Sequence, residues 1–128
     1  MDDTPDGPAQ DLLADVFARD CTSRGAFESV TAKWASLVLL ALGESTFRFN
    51  ALRRKVDGVS EKMLAQTLQT LERDGMVTRE VLTAIPPRVE YELTPLGAAI
   101  AARLRDLADL LEASVADVEA SRREHAQR

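Results

Sequence analysis

Metal ligands and nucleophiles are scarce in this 128-residue chain, which has one cysteine, one histidine, one tryptophan and one tyrosine. Cys21 has no partner for an intrachain disulfide, and without a second cysteine or histidine a zinc site of the usual ligand type cannot be built. His125 lies near the C-terminus in Arg-Arg-Glu-His-Ala-Gln-Arg, a poor place for a cysteine-histidine dyad. The six glycines stand singly, so there is no glycine-rich phosphate loop. The expectation is no enzyme, no metal and no cofactor. The longest apolar run, Leu37 to Leu42, is six residues, far below the roughly 20 that span a bilayer. The N-terminal Met-Asp-Asp-Thr-Pro-Asp is the opposite of a basic signal-peptide start, so a cytoplasmic protein with a reduced thiol is expected.

What is present is an ordinary globular composition, 45% hydrophobic and 29% charged, with a net charge of −5 that is unevenly spread. Residues 1–46 hold three basic and eight acidic side chains, residues 47–94 eight and seven, and residues 95–128 five and six. Within the middle third, Arg48, Arg53, Arg54, Lys55 and Lys62 stand against Asp57 and Glu61, a local +3. The potential at the contacting face decides phosphate binding, so an acidic total does not exclude nucleic acid.

Residues 1–9, with Pro5, Gly7 and Pro8, read as a flexible leader, followed by a single domain over 10–121 and a flexible tail over 122–128. Leu12, Leu13, Val16 and Phe17 predict a helix stopping near Cys21, and Ser23 is placed to cap the next one. Phe27 and Val30 lead into an apolar helix through Trp34 and Leu37 that is expected to end at a left-handed Gly43. Thr46 to Phe49 is at most a strand stub, Asn50 to Val56 a short helix, and Asp57-Gly58-Val59 a tight turn. Ser60 is an N-cap for a helix running to Asp74 and stopping at Gly75. Alternating apolar and charged residues predict antiparallel strands within 76–93, joined by a loop stiffened by Pro86 and Pro87. Thr94-Pro95 starts a long helix, 95–121, with a stripe of Leu96, Ile100, Leu104, Leu107, Leu111, Val115 and Val118. That stripe, with the N-terminal helix, suits a dimer seam. Leu12, Leu13, Val16, Phe17, Leu104, Leu107 and Leu111 are its candidate residues.

Helix, helix, tight turn, helix, hairpin, helix is the order of a winged helix-turn-helix. The fold expected is mainly α with a small β-hairpin wing (α+β), extended at both ends by dimerisation helices. At 100° per residue, Leu64, Leu68 and Leu71 fall on one side of the 60–74 helix, and Lys62, Gln66, Gln69 and Arg73 form a stripe on the other. Lysine, arginine and glutamine are the long donors suited to phosphates and purine edges.

Val30-Thr31-Ala32-Lys33-Trp34, Arg48 to Arg54, Gly58 to Leu68, Leu71 to Arg79 and Pro86-Pro87-Arg88-Val89-Glu90-Tyr91-Glu92-Leu93-Thr94-Pro95-Leu96-Gly97 together resemble the HxlR-type winged helix family of bacterial transcriptional regulators, over about residues 20–105. The resemblance implies a homodimeric regulator of double-stranded DNA, with Ser60 to Asp74 as recognition helix and Thr83 to Arg88 as wing tip. The DNA-binding set expected is Arg48, Asn50, Arg53, Arg54, Ser60, Lys62, Gln66, Gln69, Arg73 and Arg88. In some members a cysteine ahead of the lysine-tryptophan motif senses oxidants or electrophiles, and Cys21 stands in a similar place, with Thr22 after it where proline is frequent. A repressor acting by occlusion on an inverted-repeat operator is the favoured reading. The alternative is a winged helix protein-interaction module without DNA binding.

Overall fold

The apolar run Leu37–Leu42 forms the middle of the central helix, where Val38, Leu39, Ala41 and Leu42 are buried. The computed structural model describes residues 14–83 and 85–128; the expected leader and the seam candidates Leu12 and Leu13 lie outside them. The described residues form six helices and three strands in the order α1 (Thr22–Thr31), α2 (Lys33–Glu44), β1 (Phe47–Arg48), α3 (Phe49–Lys55), α4 (Glu61–Arg73), β2 (Val77–Leu82), β3 (Arg88–Leu93), α5 (Pro95–Ala113) and α6 (Val115–Ala126). The strands make an antiparallel sheet in the order β1-β3-β2, with Phe47 opposite Tyr91 and Arg79 on the other side of Tyr91. This is the α+β winged helix-turn-helix expected from the sequence.

One core unites all of these elements but α6: Val38 and Leu39 of α2, Leu52 of α3 and Leu64, Leu68 and Leu71 of α4 are its fully buried side chains. Helix α4 is closed at both ends by the residues that predicted it. The Ser60 Oγ accepts the Met63 N–H at 3.1 Å. At the other end Gly75 takes φ +77°, its N–H reaches the Glu72 carbonyl at 3.0 Å, and the Met76 N–H reaches the Leu71 carbonyl at 2.9 Å. That is the paired bonding of a Schellman cap, with Leu71 and Met76 supplying its apolar contact.

Several expectations are corrected. The helix expected to stop near Cys21 does not extend past Ala14: the chain turns at Asp15, whose side chain accepts the Phe17 N–H at 3.0 Å and whose carbonyl accepts the Ala18 N–H at 3.1 Å. An aspartate offering its own backbone a turn competes with helix continuation. Val16 and Phe17 therefore sit in a turn. Cys21, not Ser23, caps α1, its sulfur accepting the Arg24 N–H at 3.1 Å. The expected single helix through Val30 and Trp34 is two, bent by 77° at Ala32. Gly43 is helical and does not end α2. A Cβ there would stand 3.3 Å from the Ala101 Cβ, so the missing side chain lets α5 lie close. The long last helix breaks at Ser114, whose N–H turns back to the Leu111 carbonyl at 3.1 Å, and helical structure continues to Ala126 where a flexible tail was expected.

The start of α5 is fixed on the end of α4. The Thr94 hydroxyl donates to the Gly75 carbonyl at 2.7 Å and accepts the Gly97 N–H at 3.0 Å, while the Thr94 N–H reaches the Met76 carbonyl at 3.1 Å. A Cβ on residue 97 would lie 1.9 Å from the Met76 carbonyl oxygen. Gly97→Ala is expected to cost about 2–3 kcal/mol through forced backbone shifts, outweighing a gain of about 1 kcal/mol in helix propensity. Denaturant unfolding should show the loss, and a variant as stable as wild type would refute this account of the corner.

Glu44 ties three helices: its carboxylate lies 2.9 Å from the Lys55 Nζ and 3.9 Å from an Arg105 Nη, and Arg105 also reaches Asp109 at 2.9 Å and Glu112 at 3.3 Å. The hydrogen bond and charge of Lys55, and then Arg105, hold its carboxyl below the ordinary value of 4.5. The stabilisation is therefore present above that value and lost as the pH falls through the folded-state pKa. Thermal midpoints of wild type and Glu44→Gln should differ at neutral pH and converge as the pH falls through the lowered folded-state pKa of Glu44. A gap independent of pH would contradict this.

Candidate nucleic-acid interface

Helix α4 buries its leucines against the core and turns its other side outward. Lys62, Gln66, Gln69 and Arg73 are all exposed there, within about 60° of one another around the axis. Gln66, Gln69, Thr70 and Arg73 line one shallow depression. A second, between α4 and the bend at Ala32, is lined by Ser29, Ala32, Ala35, Met63, Gln66, Thr67 and Thr70. Ser29, Met63, Thr67 and Thr70 were not among the candidates drawn from the sequence. Met63, Thr67 and Thr70 lie about 80–140° from Lys62, between the polar stripe and the leucines, so the helical wheel carried the signal.

The cationic residues differ in how far they are free. Arg73 gives its Nε to the Asp74 carboxylate at 3.1 Å, which leaves the two Nη groups for a phosphate or guanine edge. Arg53 and Arg54 are exposed in the last turn of α3, with Asn50 exposed one turn earlier. Lys55, their neighbour, is held by Glu44 at 2.9 Å. Arg48 is exposed at the junction of β1 and α3 and sits opposite Glu90 in the sheet register, beside a carboxylate. Ser60 uses an oxygen lone pair to cap α4, and its hydroxyl proton remains available to an acceptor. Arg88 is exposed at the start of β3, paired with Leu82 at the last rung before the loop.

Helix α4 and the hairpin are thus joined through the Gly75 turn, and α3 precedes them across the turn at Gly58, where φ is +92°. Among the described residues no charged side chain is buried, and none form a group of three possible metal ligands. No single helix among them is long and apolar enough to cross a membrane.

The other candidates fall elsewhere. Cys21 is 5% exposed, with its sulfur against the Asp15 carbonyl, the Ser23 Oγ at 3.1 Å and the Arg24 N–H. The stripe along α5 and into α6 divides in two: Ile100 and Leu104 turn inward and pack on the core, whereas Leu96, Leu107, Leu111 and Val115 are exposed. Leu104 is therefore half-buried against the core, whereas Leu111, at nearly the same angle around the helix, is exposed two turns farther along it. Leu110 joins the exposed set, and Val16 and Phe17 are also exposed.

Comparison with known proteins matches residues 29–119 to the HxlR-like helix-turn-helix family. The HTH-type transcriptional regulator YtfH of Escherichia coli (strain K12) is 50% identical over 111 residues, 87% of this chain and 88% of that protein. Among solved structures, the transcriptional regulator ytfH from Salmonella typhimurium superposes with a TM-score of 0.78 at 48% identity, covering 85% of this chain and 97% of that one. The redox regulator HypR in its oxidised form gives a TM-score of 0.66 at 30% identity, covering 73% and 96%.

Proposed function

The chain belongs to the HxlR-like helix-turn-helix family of DNA-binding transcriptional regulators, a class without enzymatic activity, and from that premise we propose a homodimeric cytoplasmic repressor that reads an inverted-repeat operator with α4. The observation that carries the reading is the exposed stripe Lys62, Gln66, Gln69 and Arg73 on the free face of a helix capped at both ends. Amide side chains there offer paired hydrogen bonds to adenine edges, while Arg53 and Arg54 before the helix and Arg88 after it supply phosphate contacts. A protein-interaction module would have no use for such donors in this arrangement.

The dimer rests on α5 and α6. Helix α5, 19 residues and so about 28 Å long, leaves the body of the domain, and no residue of α6 is buried. Leu107, Leu110, Leu111 and Val115 make a leucine-rich surface that no other described residue of the chain covers. A second copy covers it by two-fold pairing, and occlusion of a promoter is the simplest action for a dimer of this size. Cys21 enters as a sensor only with movement. An oxidant reaches its buried sulfur once the 15–20 turn lifts, and modification then removes the cap of α1.

Two measurements test this. On an operator recovered by selection from random DNA, Gln66→Ala should relax sequence preference at a cost of about 1–3 kcal/mol, and Arg88→Ala should weaken matched and scrambled sequences alike. Identical profiles would refute the division of roles, and absence of specific binding by wild type would refute the regulator. Leu107→Asp or Leu111→Asp should yield monomers in light scattering and weaken operator binding. A monomeric wild type would overturn the dimer.

A further inference from the structure

Ile85, in the wing loop, is 99% exposed, the most open large apolar side chain among the described residues. A lone exposed isoleucine on a surface needs no explanation. This one stands with exposed Pro86, Pro87 and Val81 at the end of a hairpin whose strands have six residues each, a reach of about 20 Å from the core. Two prolines fix φ on one side of the loop, so the tip is presented as a firm point. Between Glu80 and Glu90 the only charged residue is Arg88, so the tip approaches a polyanion with one cation and no carboxylate.

We propose that Ile85 is a wedge that enters the minor groove beside the site read by α4 and partly unstacks a base step, making the regulator sensitive to DNA deformability at positions it does not hydrogen-bond. This rests on the DNA-binding reading above and extends it from base edges to shape. An isoleucine has no donor or acceptor, so it cannot read a base edge. It can fill the space opened between two bases when a step is rolled apart, and pyrimidine–purine steps yield most readily. Arg88, at the rung next to the loop, supplies the phosphate contact that holds the duplex against the tip. Carboxylates begin again only at Glu80 and Glu90, which face each other across β2 and β3 with Arg48 on the far side of Glu90, so the stretch free of carboxylates is confined to the end of the hairpin.

The experiment uses full-length protein and an operator duplex recovered by selection, labelled for bending by energy transfer and carrying 2-aminopurine at successive steps flanking each half-site. Wild type should bend the duplex and raise 2-aminopurine fluorescence at one flanking step per half-site. Ile85→Ala should lose that fluorescence and most of the bend and bind about tenfold more weakly, while Ile85→Leu retains all three. The penalty should shrink when the step is already a mismatch, a response that simple loss of folding does not give. Specific binding by wild type with no unstacking, or equal affinity and bend for Ile85→Ala, overturns the wedge and leaves the regulator standing. Unchanged DNA binding with lost control of transcription in vitro assigns the tip to a protein surface and also overturns it. No specific binding by wild type removes the regulator reading itself.

Discussion

The carbonyl oxygen of Met76 occupies the place where any side chain at residue 97 would begin. Most of what joins this molecule together passes through that approach. Met76 follows the glycine that ends α4 and precedes the first residue of β2, so its position is set by the reading helix and in turn sets the wing. Thr94 hydrogen-bonds both sides of the same turn and caps α5. One small corner thus fixes the end of α4, the root of the wing and the direction of the helix assigned to pairing. Interiors this close-packed transmit displacement between elements, so this corner is the mechanical link between the two ends of the regulator.

The parts of the fold that could be read from the sequence are those set by local chemistry with one dominant solution. Ser60 and Gly75 bracket α4 because a hydroxyl cap and a positive-φ glycine have few rivals at helix ends. The hairpin declares itself because alternation leaves one strand register with Val77, Tyr91 and Leu93 on the same face. The polar stripe on α4 could be read for the same reason, since three leucines define its opposite side. What could not be read depends on what lies across from a residue. Gly43 looks like a terminator until Ala101 is found against it, and Leu104 and Leu107 look equivalent until one is seen to meet the core. Asp15 and Cys21 ended or began helices through side-chain bonds that helical periodicity does not weigh.

Charge follows the same division. The chain as a whole is acidic, yet Lys62, Arg53, Arg54 and Arg88 are exposed on α4, α3 and β3, and two carboxylates of the same part of the fold are committed to other cations. Glu44 holds Lys55 and Arg105, and Asp74 holds one edge of Arg73. Lys55, which looks in sequence like part of the basic run, is a structural cation. A repulsive remainder limits non-specific attraction to DNA, so in the proposed reading discrimination falls to the few donors on α4.

Helix α5 is also a lever. Its N-terminal end is gripped at Gly97 and its far end, near Ser114, lies about 25–28 Å away. Turning such an arm by about 10° about the gripped end carries the other end through roughly 5 Å, about one and a half base-pair rises along DNA. In the proposed dimer this geometry makes the separation of the two reading helices a steep function of one angle, so the spacer between half-sites is gauged by protein mechanics as well as by base contacts.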